Sequence, residues 1–457
     1  MEMIKNRLLI FTCYGQLAGL VIGISFDFFI REEAVYNGNI KRVLLNENCK
    51  NLIKLRRRTF ESSVYKYYHG VTFTDGDLWL EHHKFALKHL HQLGFGKVKV
   101  KNLIKEEISH FVELLNNQRD NVCITKYLAR LVLNVLWTVV AGTRFSLDDP
   151  KLGRLLELMN SRSKAFDFSG GLLNRFPWMR FLAPRNQDTS SFPTSTRNFA
   201  IFSWLDEIEK HKRTRTDEVR DFMDLYLEKI DAPGTDKGIF NEDQLVAVCL
   251  DFFIAGSHTT SDTLGFALLA MTRYPDVQAE VQRCLDAAVL PGTAPDFTEE
   301  KGMNYVSAVL LEAMRSCFVA PTSGPRRATR TTTVGGYTIP QGTTVLMSIH
   351  SILNDKKRWS DPEVFRPERF LDNDGNITNS DRLYFFGRGK RRCIGEALAR
   401  NFIFQFFTSL LYHFEFSPVP PSSFGRGDWS RGIFDCTPKM KKLVVVRQVT
   451  AMMISKY

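Results

Sequence analysis

The sequence has no CxxC pair, and none of its cysteines stands at zinc-ligand spacing from a histidine. That excludes zinc ribbons and dithiol redox sites. Its eight cysteines are scattered over 457 residues, so they read as reduced, mostly buried thiols of a protein in the cytosol or on a cytosol-facing surface. Tryptophan is scarce at 6 residues and tyrosine modest at 13, against 36 phenylalanines. Rings without a polar handle suit a thick apolar interior or an apolar pocket. Internal repeats and low-complexity tracts are absent. Charged residues make up 24% of the chain and apolar ones 44%, which excludes a disordered chain and a polytopic membrane protein. Acids are outnumbered, 50 against 61 Lys and Arg, for a net charge of +11. That surplus suits phosphates, acidic lipid surfaces or an acidic partner, or is a solvated surface and nothing more. Its clusters at Arg56-Arg57-Arg58, Lys212-Arg213 and Lys390-Arg391-Arg392 form no stripe with interleaved aromatics, so no nucleic-acid partner is expected.

One long uncharged run occurs, 19 residues over 8–26, preceded by Lys5 and Arg7. It admits two readings. Its length reaches the lower edge of a membrane span, and Gly15, Gly19 and Gly23 have small-xxx-small spacing. Against a helix stand Tyr14, Gln16 and the three glycines, while Val21, Ile22, Ile24, Phe26, Phe28 and Phe29 favour strand. We favour a strand pair, and no proline-rich hinge follows. Residues 1–30 are therefore expected to be an apolar strand region, 14–445 a single catalytic domain and 446–457 a tail.

Most of the remainder reads as helix. Helices are expected over 76–93, 124–141, 196–209, 241–272, 303–317 and from Gly395 to about Phe414. The longest, 241–272, carries Glu242 and Asp243 in its first turn, where carboxylates suit the positive end of the helix dipole. Its periodicity is broken at Ala255-Gly256-Ser257-His258-Thr259-Thr260, because Gly and β-branched residues weaken a helix interior. Residues 331–350 read as short strands with a hairpin, and 355–382 as irregular chain. The fold class is mainly α with small β-sheets.

The most informative segment is Phe386-Gly387-Arg388-Gly389-Lys390-Arg391-Arg392-Cys393-Ile394-Gly395. Gly387 and Gly389 allow positive φ and a close approach of backbone to a flat ligand. Cys393 precedes a helix start and lies beside Arg391 and Arg392, conditions expected to lower a thiol pKa and yield a thiolate, a soft, electron-donating iron ligand. The bland alternative for any single cysteine is a buried, inert thiol.

This segment resembles the haem-binding loop of the cytochrome P450 family, FxxGxRxCxG, with Phe386, Gly389, Arg391, Cys393 and Gly395 matching. The resemblance implies that Phe386 packs by the sulfur, that Arg391 pairs with a haem propionate and that Cys393 is the axial ligand. Glu312-Ala313-Met314-Arg315 resembles the family's ExxR. The same spacing recurs at Glu280…Arg283 and Glu363…Arg366, where it reads as a surface ion pair. What sets Glu312 and Arg315 apart is their apolar helix, and Arg369, in a stretch resembling FxPxRF, would complete a buried Glu–Arg–Arg cluster. Residues 255–260 resemble the oxygen-activation segment AGx(D/E)TT. There Ala255 and Gly256 would admit dioxygen, and the Thr259 hydroxyl would donate to it and order a proton-carrying water. The alternative for these small residues is a packing notch. His258 stands at the acidic position, able to relay protons but with altered charge. Trp79 and His83 match WxxxR with His for Arg, and Arg326 offers a further propionate contact; the alternative for His83 is a solvated helix residue.

The resemblance spans about residues 14–445, and details such as Gly76-Asp77-Leu78-Trp79 and Asp221-Phe222-Met223-Asp224 look like the animal microsomal branch, insect members above all. It implies a P450-like haem-thiolate fold binding haem b. The implied activity is monooxygenation of a small lipophilic substrate with O2, electrons coming from NADPH through NADPH-cytochrome P450 reductase. The implied place is the cytosolic face of the endoplasmic reticulum membrane. The family's N-terminal anchor is not recognisable, so a truncated N-terminus is expected. Pocket candidates are Phe166, Phe168, Phe252, Val319, Ala320 and Ile433, and the apolar stretch Phe176–Leu182 either dips into a membrane or packs internally. Two alternatives stay open: a haem protein of this fold without turnover, and a haem-thiolate isomerase or dehydratase.

Overall fold

The computed structural model describes residues 28–29, 70–72, 74–117, 124–165, 194–289, 296–298, 300, 302–323, 326–334, 337–418, 429–431, 436–438 and 443–445. Twelve α-helices and nine short strands lie among them. The helices are α1 (Gly76–Gln92), α2 (Val98–Asn117), α3 (Thr125–Ala141), α4 (Pro150–Ala165), α5 (Thr194–Arg213), α6 (Phe222–Asp231), α7 (Glu242–Arg273), α8 (Pro275–Ala288), α9 (Asn304–Ser316), α10 (Ile349–Leu353), α11 (Lys356–Trp359) and α12 (Glu396–His413). The strands are β1 (Phe28–Phe29), β2 (Arg326–Arg327), β3 (Thr332–Val334), β4 (Tyr337–Ile339), β5 (Thr344–Leu346), β6 (Phe416–Pro418), β7 (Trp429–Arg431), β8 (Cys436–Pro438) and β9 (Leu443–Val445).

Helix α7 is the axis of the fold. It runs unbroken for 32 residues, about 48 Å at the usual helical rise. Asn241 caps its start by accepting the Gln244 N–H at 3.0 Å. Pro275, which lacks an N–H and suits a first turn, opens α8 directly after Tyr274. The stretch at 255–260, where the pattern is interrupted, stays helical: Thr259 donates its hydroxyl to the Ala255 carbonyl at 2.6 Å, a side-chain bond made along the helix. Helix α3 packs most extensively on α7. Its Leu131, Leu133, Val135 and Trp137 are buried, and the Trp137 ring stacks on Trp204 of α5 at 4.6 Å and meets Phe253 of α7 edge-on at 5.5 Å. Helix α12 closes the core from the other side, against α2, α7 and α8.

The β content is small, as expected. Strand β5 pairs in parallel with β1 (Phe28↔Val345) and antiparallel with β2 (Arg326↔Val345). β3 and β4 form the expected hairpin, and β6–β9 and β7–β8 pair antiparallel near the chain end. Of the apolar N-terminal region, only the strand Phe28–Phe29 is described; the 8–26 run lies outside the described residues. Among the described residues no helix is long and apolar enough to cross a membrane.

A buried ionic cluster fastens α9 to the chain that follows. Arg315 grips Glu312 in two parallel hydrogen bonds of 2.8 and 2.9 Å and donates to the carbonyls of Leu353 and Pro362, each at 2.8 Å. Arg369 lies 3.0 Å from the same carboxylate and donates to the Trp359, Asp361 and Val364 carbonyls. The Arg366 amide donates to Glu312 at 2.9 Å. Most of the polar capacity of both guanidinium groups is thus used, the condition under which a buried charge cluster is tolerated.

Candidate functional site

The Cys393 loop is built by backbone geometry. Gly387 and Gly389 both take positive φ, 70° and 75°, so the chain reverses there with little strain. The Cys393 amide then closes the loop onto the Phe386 carbonyl at 2.8 Å. Phe386 is half-buried, edge-on to Phe385 and covered by the Arg400 guanidinium at 4.9 Å. The backbone N–H groups of Gly395 and Glu396, at the start of α12, are directed at the Cys393 sulfur and favour its anionic form. Even so, the thiol pKa is raised: removal from bulk water outweighs those amides, the Glu396 charge adds to the rise and Arg392 only partly opposes it. This corrects the expectation that the helix start and the neighbouring cations lower the thiol pKa. The Arg391 guanidinium lies on Trp79, and Arg392 is tied to Glu396 at 2.6 Å. Cys393 is nevertheless accessible to solvent. A side chain surrounded by protein and yet accessible lines a hollow. Gly395 has room beside it, since a Cβ built on it would meet nothing within 4 Å.

A cationic corner lies beside the loop. The Arg391 guanidinium stacks on the Trp79 ring at 3.9 Å and donates to the carbonyls of Thr74, at 2.7 Å, and Val71, at 3.4 Å. Burial and the nearby Arg326 charge push its pKa down to about 9, with Asp75 pulling the other way. Two guanidinium groups held close enough to repel each other form a receptor for anionic groups. His83 packs against Trp79 at 4.7 Å, and its pKa is lowered by burial and by Arg391. His83 is thus part of the corner rather than a solvated helix residue. Its neighbour His82 is a core residue, bound to the Leu78 carbonyl at 2.8 Å and the Tyr226 hydroxyl at 2.6 Å.

The third part is on α7. Ala255 and Thr259 are exposed in the middle of an otherwise largely buried helix, and their spacing puts them on one face. Asp251, four residues earlier, continues that face and accepts the Val71 and Thr72 amides at 2.7 and 2.8 Å. The segment that holds Arg391 is therefore tied to the helix that carries Ala255 and Thr259. His258 is half-buried, 3.2 Å from the Ser257 hydroxyl, and burial lowers its pKa, leaving it neutral near pH 7. Gly256 is accounted for by packing: a Cβ there would lie 2.8 Å from Leu136 of α3.

Phe252 is a correction. It is buried against Phe222 of α6, ring centres 5.2 Å apart, in the main core and not in a substrate pocket, because it lies on the α6 side of α7. Val319 and Ala320 are half-buried between α9 and the first sheet. Phe166, Phe168, Ile433 and the Phe176–Leu182 stretch lie outside the described residues. Asp251 was not expected. The signal was there: a lone carboxylate in the apolar run VAVCLDFFIA.

The family model described as Cytochrome P450 matches residues 34–430. The chain belongs to the cytochrome P450 family. Similar curated proteins are P450s of insects and mammals. "Probable cytochrome P450 305a1" of Drosophila melanogaster is 39% identical over 76% of this chain and 70% of its own length. Cytochrome P450 2J2 of Homo sapiens is 33% identical over 89% and 80% respectively. Farnesoate epoxidase of Bombyx mori is 34% identical over 76% and 70%. The helical fold with small sheets is the P450 fold, the cofactor of this P450 is haem b, and the protein is a P450 monooxygenase, an oxidoreductase. The residues at the site fit that cofactor: an accessible sulfur, two neighbouring guanidinium groups for its carboxylates, and a small-residue helix face.

Proposed function

We propose that this P450 oxygenates small lipophilic molecules at the Cys393 site, with electrons delivered from NADPH by NADPH-cytochrome P450 reductase. The observation that carries the reading is Cys393, accessible while two helix-start amides are aimed at its sulfur. When bound, the haem supplies a thiolate-ligated iron at which the O–O bond of dioxygen is cleaved. Cys393 would hold the iron through its sulfur, and the Gly395 and Glu396 amides would spread the charge of that sulfur. Gly387, Gly389 and Gly395 keep the approach free of side chains, and Phe386 packs beside the loop. Arg391 and Arg326 would hold the propionates, flanked by Trp79 and His83.

Thr259 holds its proton at Oγ1, bonded to the Ala255 carbonyl at rest, and can turn it toward a water on the accessible face of α7. Neutral His258 relays protons only by exchanging one for another between its two nitrogens. Ala255 leaves room for substrate; Val319 and Ala320 remain pocket candidates, with Phe166, Phe168 and Ile433 outside the described residues. A lipophilic substrate is supported by the 36 phenylalanines and by the similarity to farnesoate epoxidase. Reductase docking is supported by exposed Lys390 and Arg392 beside the loop; Arg391 turns inward and is no part of that surface. The cytosolic face of the endoplasmic reticulum is the place such a partner implies.

The test is the reduced carbon-monoxide difference spectrum. A thiolate-type Soret band, lost in Cys393→Ala, is expected; survival of the band in that variant sinks the reading. Product formation with added reductase must then require NADPH. His258 beside Thr259 favours, as second reading, a haem protein with impaired turnover, which shows the band and no product. Turnover without NADPH would instead mark an isomerase or dehydratase.

A further inference from the structure

Residues 70–72 and Thr74 form a strap between α7 and the cysteine loop. On one side, Asp251 Oδ2 accepts two successive amides, Val71 at 2.7 Å and Thr72 at 2.8 Å, and Gln244 Oε1 accepts the Gly70 amide at 3.3 Å. Asp251 and Gln244 are two turns apart on α7, so they present one face to the strap. Only glycine fits at position 70: φ is +60°, and a Cβ there would sit 2.2 Å from Asp251 Oδ2. The Thr74 hydroxyl donates to the Gly70 carbonyl at 2.7 Å and closes the strap on itself. On the other side, the Val71 and Thr74 carbonyls accept from Arg391, and five residues after Thr74 comes Trp79, on which Arg391 lies.

The carbonyls that orient Arg391 are thus placed by amides that Asp251 holds. A carboxylate that accepts two backbone N–H groups makes charge-assisted bonds, stronger than those of a neutral acceptor. We propose that Asp251 is a positioning residue for the cofactor, acting through the Gly70–Thr74 strap to hold Arg391 in the orientation that grips the haem carboxylates. Asp251 itself does not touch the cofactor in this scheme. It also couples the face carrying Ala255 and Thr259 to the cofactor's anionic edge, since all three side chains lie on one side of α7. The inference rests on the haem site proposed above.

The test measures haem loss. Holoprotein is mixed with excess apomyoglobin and transfer is followed at the Soret band. Asp251→Ala and Arg391→Ala should each lose haem about 10-fold faster than the parent, the scale at which supports of a ligand shell act. The double variant Asp251→Ala/Arg391→Ala should lose it no faster than Arg391→Ala alone, because without Arg391 the strap has nothing to orient. Gly70→Ala keeps the carboxylate but drives a methyl into it, so it should reproduce Asp251→Ala; Asp251→Asn should fall between parent and Asp251→Ala. These two serve if Asp251→Ala does not fold. A purely structural strap gives a different pattern: the two accelerations multiply in the double variant, and that outcome overturns the proposal, as does parental haem loss in Asp251→Ala or Gly70→Ala. A parent chain with no thiolate-type band refutes the site itself, a result distinct from every variant comparison.

Discussion

Helices α8 and α9 each carry a Glu-x-x-Arg pair of the same spacing, and the two pairs behave as different objects. In α8, Arg283 meets Glu280 at 2.5 Å with side chains 69% and 37% exposed. In α9, Arg315 meets Glu312 at 2.8 Å with both side chains 0% exposed. The geometry of each pair is good. What differs is the solvent. Water and salt screen the first pair, and its charges are nearly as well served when separated. No water reaches the second, so each charge depends wholly on its partner and on the surrounding carbonyls. A spacing in sequence therefore carries no fixed stability; burial decides it.

The comparison can be pressed at four places. The largest effect is expected from Glu312→Gln, which leaves Arg315 and Arg369 buried without their counter-charge. A loss of about 3–5 kcal/mol in urea unfolding, or no folded protein, is expected; a loss like that of a surface variant would break the distinction. Arg369→Ala removes the second guanidinium but leaves the Glu312–Arg315 fork in place. It should cost less, about 2–3 kcal/mol, the range for hydrogen bonds to charged groups.

A smaller effect is expected at His211, whose Nε2 lies 2.8 Å from Asp221 Oδ2 and whose Nδ1 lies 2.7 Å from the Glu207 carbonyl. Burial alone would lower the His211 pKa, but the bond to Asp221, its charge and the Glu207 carbonyl together raise it above 6.5. A histidine whose folded pKa is raised adds stability that is fully present below its unfolded pKa and disappears as pH climbs through the folded value. His211→Gln should therefore cost about 1 kcal/mol in mild acid and progressively less as the solution turns alkaline. A deficit that grows with pH would reverse the assigned direction. The smallest effect belongs to Arg283→Ala: its thermal midpoint should match the parent's. A clear drop there would mean that the exposed pair is worth as much as the buried one.

Much of the site was legible in the chain because local chemistry leaves fixed marks. The glycines at 387 and 389 are required by positive φ, and the cysteine ahead of α12 by the amides at its first turn. The apolar surroundings of Glu312 and Arg315 were enough to tell α9 from α8. Other features were misread because they depend on which side of a helix faces what. Phe252 was expected in a pocket and is in the core, since α6 covers that side of α7. Arg391 was expected to help lower the thiol pKa, and its guanidinium lies on Trp79 and binds the strap. The Cys393 thiol was expected to be acidified, but removal from bulk water, which no motif records, is the larger influence.

By itself the sequence settled the class of chemistry, because a cysteine loop, its glycines and a buried Glu–Arg motif are short-range patterns written within a few residues of one another. Only the tertiary structure decided that Asp251 and Arg391, 140 positions apart, act on opposite sides of one short strap. The reason is physical: a hydrogen bond between distant segments depends on how the helices pack, and packing is a property of the whole core.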